Sequence, residues 1–306
     1  MKTPAGLDDL HVLGVADLPR YRRAMEEGAR LGFGYGFAGL LASQRIDRRL
    51  VLLDEDQGAL CVYRWSRRDR KNRLELLFPP LPHDPAVLTR CLQRIDDYNR
   101  DHRGRVLKLD AGDVAALEGA GLRVRPRKQQ YLYAPAVYRD LAGGRFRTLR
   151  RQLRRVAELD GLRARPYAPA DEPACLDLLA GWRRHHRANH GTRGGVGGCR
   201  RILRLAASLA APELLGEVIE FGGRVVGFAF GGRLRAGHGV FIEARCDAGL
   251  PGLSYYQRHH FLLTLGGQGI ETVNDGPDVG RAGLAQLKNS LRPVAMHTEY
   301  RAGRGP

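Results

Sequence analysis

The apolar residues of this chain follow two periods, and the sharper is a helical one near the middle. Phe146, Leu149, Leu153 and Val156 form a stripe fit for burial, while Arg147, Arg150, Arg151, Arg154 and Arg155 take the rest of the circumference. Gly143-Gly144 breaks the chain before this helix, and Asp160-Gly161 closes it. Ahead of it, the run Tyr131-Leu132-Tyr133 suits the end of a strand. Helical spacing also marks residues 21–31 and 85–101, the latter with Val87, Leu88, Leu92, Ile95 and Tyr98 inward. Short apolar runs predict strands at 50–53, 59–63, 74–78, 106–109 and 122–133, with a short helix at 113–118. Residues 64–73 are so basic that they read as a charged loop. The run Gly32-Phe33-Gly34-Tyr35-Gly36-Phe37 reads as a connection whose glycines would also let a ligand approach the backbone.

Beyond the central helix the plan repeats. A strand at 162–167 leads to a helix at 171–190, whose Pro173 falls in the first turn where a missing N–H does no harm. A glycine-rich loop at 191–198 and a helix at 200–209 follow, then strands at 214–221, 225–234 and 238–245, with Gly222-Gly223 signalling a hairpin. The half ends with a helix at 254–265, a strand at 270–273, a helix at 282–291 and a strand at 294–301. That order resembles an acetyltransferase-like (GNAT) domain. The expected fold is therefore α+β: two tandem GNAT-like domains, 1–134 and 161–306, each a mixed, mostly antiparallel sheet flanked by helices. A basic helix at 135–160 would join them.

The chain has 306 residues, 43% of them hydrophobic, enough for two packed domains. Its net charge of +17 favours a polyanionic partner: nucleic acid, an anionic membrane surface or a phosphorylated ligand. Cysteines 61, 91, 175, 199 and 246 are widely spaced without a CxxC, which suggests reduced thiols in a cytoplasmic protein. The polar start suggests no secretory signal. The most apolar stretch, 225–232, is far shorter than the roughly 20 residues of a spanning helix, so a soluble protein is expected.

Two motifs carry a family resemblance. Tyr131-Leu132-Tyr133 with the segment 141–147 and the Arg150-rich helix resembles the bridge of the phosphatidylglycerol lysyltransferase C-terminal family. Val273-Asn274, Asp278-Val279-Gly280, Gly283-Leu284, Lys288, Ser290 and Pro293 resemble its closing signature at matching spacing, and the prolines at 79–82 fit as well. Membership implies transfer of an aminoacyl group from a charged tRNA to an amine or hydroxyl. The chain departs from the pattern where Asn274-Asp275-Gly276-Pro277-Asp278 replaces Asn-Arg-Glu-x-Asp, and where Ala285 replaces arginine. With no apolar span, those departures point to a small-molecule acceptor, as in relatives that build peptide-like natural products and antibiotics, rather than to a lipid.

An aminoacyl ester is already activated, so no cofactor beyond the charged tRNA is expected. The enzyme must bring ester and amine together, accept a proton and stabilise an oxyanion. The absence of GxSxG or a recognisable cysteine nucleophile agrees with direct transfer. Asp278 and Asn274, in a loop after a strand, and Glu243, on the 238–245 strand with Phe241 and Arg245 on its face, are the candidate catalytic residues. Lys288, Ser290, Tyr256 and Arg245 are candidates for substrate binding, and Arg147, Arg150, Arg151, Arg154 and Arg155 for tRNA phosphates. Local alternatives exist for each: Asp278 as a turn residue before Gly280, Ser290 bonding back to its own helix, and Tyr256 and His260 as core packing. His186 and His190 have i, i+4 spacing but lack a third ligand, so no metal is expected. Competing readings are an acyl-CoA acetyltransferase using the loop 245–252, whose glycine spacing is off and whose Pro251 lacks an amide, a soluble domain acting on phosphatidylglycerol, and an RNA- or membrane-surface adaptor without chemistry.

Overall fold

The computed structural model describes residues 3–46, 48–68, 71–101, 104–190 and 197–304. The loop expected at 191–198 therefore lies largely outside the described residues, as does the side chain of His190. In chain order the elements are β1 (His11–Val12), α1 (Leu18–Gly28), α2 (Phe37–Ser43), β2 (Arg49–Asp56), β3 (Ala59–Arg68), β4 (Lys71–Leu76) and α3 (Pro85–Asn99). There follow β5 (Arg105–Leu109), α4 (Val114–Gly119), β6 (Arg123–Tyr133), α5 (Arg147–Ala157), β7 (Arg163–Pro166), α6 (Glu172–His190) and α7 (Gly197–Leu205). The last are β8 (Leu215–Phe221), β9 (Arg224–Arg235), β10 (His238–Cys246), α8 (Leu253–Gly267), β11 (Thr272–Asn274), α9 (Ala282–Ser290) and β12 (Ala295–Gly303). The protein is α+β, and its second half runs β-α-α-β-β-β-α-β-α-β as expected.

Two compact units divide the chain: residues 1–130 with 297–306, and residues 131–296. The division falls inside β6, near the expected end of the first domain. Two features of the expected layout change. The arginine-rich α5 belongs to the second unit rather than standing apart as a bridge, because its apolar stripe of Phe146, Leu149 and Val156 is buried against α8. The final strand, from His297 onward, belongs to the first unit, where Tyr300 faces Leu109 of β5.

In the first unit β1 to β4 are antiparallel neighbours and β5 is parallel to β4, with Leu76 opposite Val106. Residues 64–68 and 71–73, expected in a loop, belong to strands: Arg64 faces Glu75 and Arg67 faces Asn72 across β3 and β4, so these arginines occupy sheet positions, and residues 69–70 lie outside the described residues. Helix α3 starts where Asp84 Oδ1 accepts the amides of Ala86 (2.8 Å) and Val87 (2.9 Å), with Pro85 already carrying a helical φ. It buries Val87, Leu88, Leu92 and Ile95 in one core with Leu52, Tyr63, Leu74 and Val106, while Tyr98 stays half-buried and accepts from Trp65 Nε1. The glycine-aromatic run forms a turn and enters α2, burying Tyr35 and Phe37. A Cβ at Gly34 would sit 2.3 Å from the Lys108 side chain, so the glycine serves internal packing.

In the second unit β7 to β10 are antiparallel, and β11 is parallel to β10 only from His238 opposite Thr272 to Val240 opposite Asn274. On its other side β11 pairs antiparallel with the end of β6, Val273 opposite Tyr133. Helix α8 buries Phe261, Leu262 and Leu265 against Ala229, Phe241 and Val273.

A buried ion pair ties the first unit together: Arg30 meets Asp113, with side chains 8% and 5% exposed. Arg30→Ala should lower the stability of the chain to urea by about 3 kcal/mol, because it leaves the Asp113 charge buried without its cation.

Candidate active site

In the second unit two neighbouring strands part beside the expected site residues. Past Val240 and Asn274, β10 keeps its pairing with β9 as far as Cys246, whereas β11 ends. The strands part there, and a register irregularity between Phe241 and Glu243 turns the β10 side chains. Asn274-Asp275-Gly276-Pro277-Asp278 lies on one side of the gap. From α8, Arg258 reaches Asp275 with Nε at 3.2 Å, and its guanidinium lies 4.9 Å from the Phe241 ring centroid.

A lysine holds that loop in shape. Lys288 is 2% exposed; its ammonium donates to the carbonyls of Asp275, Gly276 (3.0 Å) and Pro277 (3.3 Å) and lies 3.5 Å from Asp275 Oδ2. Burial pushes its pKa down, and the Asp275 charge pulls it back up. Three donors meet three carbonyls, so in this arrangement Lys288 shapes the loop and presents no free cation to a phosphate or oxyanion. Asn274 Oδ1 accepts the amide of Gly276 at 2.8 Å. Asp278 accepts from Gly280 N and from the Tyr131 hydroxyl, both at 2.8 Å, and these two bonds hold its carboxyl below the usual range. It is therefore ionised at neutral pH and suited to holding an ammonium rather than to removing a proton. The structure thus brings Asn274, Asp278 and Lys288 together.

Glu243 and Arg245 form a second cluster on β10. Arg245 Nη1 lies 2.8 Å from Glu243 Oε2 and also donates to its neighbour's carbonyl, Ala244 O, at 2.6 Å. The guanidinium sits 4.6 Å from the Trp182 ring centroid of α6, and Trp182 stacks on His186. Among the described residues, Arg245 Nε is buried without a hydrogen-bond partner. Cys199 of α7 hydrogen-bonds Glu243, and burial raises its thiol pKa. A cleft of about 660 Å³ opens along the same helix, lined by Asp171, Asp177, Trp182, His185, Arg224 and Asp247 among others.

The remaining expected residues serve locally. Ser290 Oγ donates to Gln286 O one turn back at 2.8 Å. Tyr256 packs with Ile219, Val226 and Leu253, its ring 5.7 Å from that of His260. Arg150 clamps the carbonyls of Leu141 and Gly143, leaving Arg147, Arg151, Arg154 and Arg155 exposed on α5. Sequence reasoning missed Tyr131 as a partner of Asp278, Asp275 and Arg258 as an ion pair, and Trp182 as the platform for Arg245. Tyr131 lies within the bridge motif and Asp275 within the closing one, whereas Arg258 and Trp182 lie in neither. Gly276, where the family pattern has a carboxylate, has φ +65°, a conformation that glycine adopts without strain. Among the described residues, no group of three or more His, Cys, Asp or Glu side chains could hold a metal ion.

The loop 245–252 is not arranged to grip a pyrophosphate. Gly249 N donates to Asp247 Oδ1 at 2.9 Å, which turns that amide inward and puts a carboxylate among the loop's donors. A Cβ at Gly252 would lie 2.7 Å from Gln152 O, so α5 closes over the turn.

A sequence profile described as phosphatidylglycerol lysyltransferase, C-terminal, matches residues 38–303. No curated protein matches the chain. Among solved structures, a conserved protein of unknown function from Bacteroides thetaiotaomicron superposes with a TM-score of 0.82 at 21% identity, over 97% of this chain and 99% of that one. L-PGS from Bacillus licheniformis gives 0.67 at 15%, over 94% and 91%, and FemX gives 0.68 at 7%, over 95% and 96%. At these identities the likeness is one of fold. No helix among the described residues is long and apolar enough to cross a membrane.

His260 on α8 bonds through Nδ1 to the buried Glu217 at 2.7 Å, and that bond raises its pKa above 6.5 despite the opposing effect of burial. The pair therefore stabilises the fold fully below pH about 6.5, and the contribution is lost as pH rises through the raised folded value. NMR titration should place the His260 midpoint above 6.5, and Glu217→Gln should lower it. Val279, beside Asp278, is a β-branched residue at φ +53° and 59% exposed. Replacing it by glycine should raise stability to urea by about 1 kcal/mol.

Proposed function

Because the chain belongs to the phosphatidylglycerol lysyltransferase C-terminal family, we propose that it is an aminoacyltransferase that takes its aminoacyl group from charged tRNA. The acceptor is an amine or hydroxyl of a small molecule, of the kind used to build peptide-like natural products or antibiotics. The observation that supports this reading is the parting of β10 and β11, with Asn274 and Asp278 in the turn that follows β11 and Glu243 and Arg245 paired on the continuing β10.

The acceptor nitrogen attacks the ester carbonyl carbon, a tetrahedral oxyanion forms, and the carbon–oxygen bond to the ribose breaks. The proton lost by the amine ends on the departing ribose hydroxyl, so no cofactor is consumed. Asp278, kept ionised by Gly280 N and the Tyr131 hydroxyl, orients the ammonium form of a substrate amine. Glu243 receives the proton, and Arg245, with an unpartnered Nε, donates to the oxyanion. Lys288 and Asn274 act as positioning residues by fixing the loop that carries Asp278. Arg147, Arg151, Arg154 and Arg155 on α5 give RNA phosphates an exposed basic face.

Two experiments test the reading. Aminoacyl-tRNA labelled in its amino acid should pass label to a panel of small amines, and ribonuclease should abolish the transfer; transfer from labelled acetyl-CoA that ignores ribonuclease would sink the proposal, and label recovered in phosphatidylglycerol would make the acceptor a lipid. Glu243→Gln should lower kcat about 100-fold at unchanged thermal stability, and Arg151→Glu with Arg155→Glu should weaken tRNA binding while leaving folding intact.

A further inference from the structure

On α6, Arg183, Arg184 and Arg187 are exposed and line a cavity of about 280 Å³ together with Arg200 of α7; Leu179 and Ala180 form its floor. None of the four arginines meets a carboxylate within ion-pair distance among the described residues. Arg183 and Arg187 are spaced i, i+4, where like charges destabilise a helix. Four guanidinium groups around one cavity without a carboxylate partner favour an anion there. The planar donors of arginine match phosphate oxygens in pairs.

The cavity adjoins the candidate active site through both helices. Trp182, the neighbour of Arg183, carries the Arg245 guanidinium, and Cys199, the neighbour of Arg200, hydrogen-bonds Glu243. We infer that this arginine pocket binds phosphodiester groups of the donor RNA close to its reactive end, as an anchor separate from the α5 face. The inference rests on the reading that RNA carries the donor. Membrane docking is disfavoured because an interfacial helix needs an exposed apolar face. Among the described residues the exposed large apolar ones are Val15, Ile46, Val279, Val294 and Met296, and none lies on α6 or α7.

The test is the salt dependence of tRNA binding by the full chain and by Arg183→Ala/Arg187→Ala/Arg200→Ala, with thermal unfolding as the check on folding. Alanine keeps the helices, and each lost phosphate contact lowers the slope of log K against log salt by about 0.7 to 0.9. The variant should therefore show a slope smaller by about 2 and binding at least about tenfold weaker. A native-like variant with the same slope as the unaltered chain overturns the inference alone. Loss of binding to phosphatidylglycerol vesicles at an unchanged tRNA slope assigns the pocket to a membrane and overturns it. If the unaltered chain binds tRNA with the expected dependence yet moves no label, the donor reading fails and the pocket stands. If the unaltered chain binds no tRNA, both fail. Should the triple variant unfold, Arg183→Ala/Arg200→Ala answers the same question with an expected slope change of about 1.5.

Discussion

The buried ammonium of Lys288 is the constraint on which the candidate site depends. A peptide loop that leaves a sheet directs carbonyls inward, and buried carbonyls without donors are costly. Here one cation from α9 satisfies three of them, at Asp275, Gly276 and Pro277, while Arg258 and Lys288 share the Asp275 charge. The strand end of β6 is held by the same loop: Asp275 N bonds Tyr131 O, and Tyr131 N bonds Gly276 O. Asp278 owes its position to both, because Tyr131 supplies the hydroxyl that it accepts. The positions of the family's closing signature thus form one mechanical unit before they form a chemical one.

That unit was only half legible in the sequence. The residues of the motif are local and can be read, yet their roles depend on contacts that no local pattern encodes. A lysine in a nine-residue helix looks like a solvated cation until the loop folds over it. Local periodicity served well where one face of an element is buried and the other wet, as in α3 and α5. It failed for α2, whose Phe37, Ala38, Leu40, Leu41 and Ala42 are all buried, so no polar face marks the period. It failed again at 64–73, where charge suggested a loop although Arg64 is paired with Glu75 across a hairpin. The placement of the last strand in the first unit rests on pairing between residues nearly two hundred positions apart, such as Tyr300 with Leu109. Nothing local announces such a partner.

The net charge of +17 likewise says little until the arginines are sorted by their partners. Arg73 meets Asp101, Arg90 meets Asp56, and Arg165 bridges Asp171 and Glu220; these are structural pairs and add little field at a distance. Exposed arginines outside such pairs occur in both units, for example Arg23, Arg123 and Arg125 in the first and those of α5 and around α6 and α7 in the second. The groups on α5 and around α6 and α7 lie in the same unit as the parting of β10 and β11, and basic side chains grouped in that way set up a local field that scattered ones do not.

The first unit shows why the chemistry belongs to the second. Each unit has a last parallel strand, β5 or β11, followed by a turn rich in acidic groups. In the first unit that turn is already filled. Asp110 accepts Leu31 N and meets His297, Asp113 holds Arg30, and Phe33 N bonds Gln130. Lys108, its pKa pushed down to about 8 by burial, donates to Gly34 O. The chain's own α1–α2 connection therefore occupies the position that a ligand would need. In the second unit the turn at 274–278 is fastened by β6, α8 and α9. Two units built on one strand order thus differ in what closes the parting of their strands. One is sealed by its own polar groups, whereas the other keeps an ionised carboxylate at Asp278 and a buried arginine Nε without a hydrogen-bond partner at Arg245.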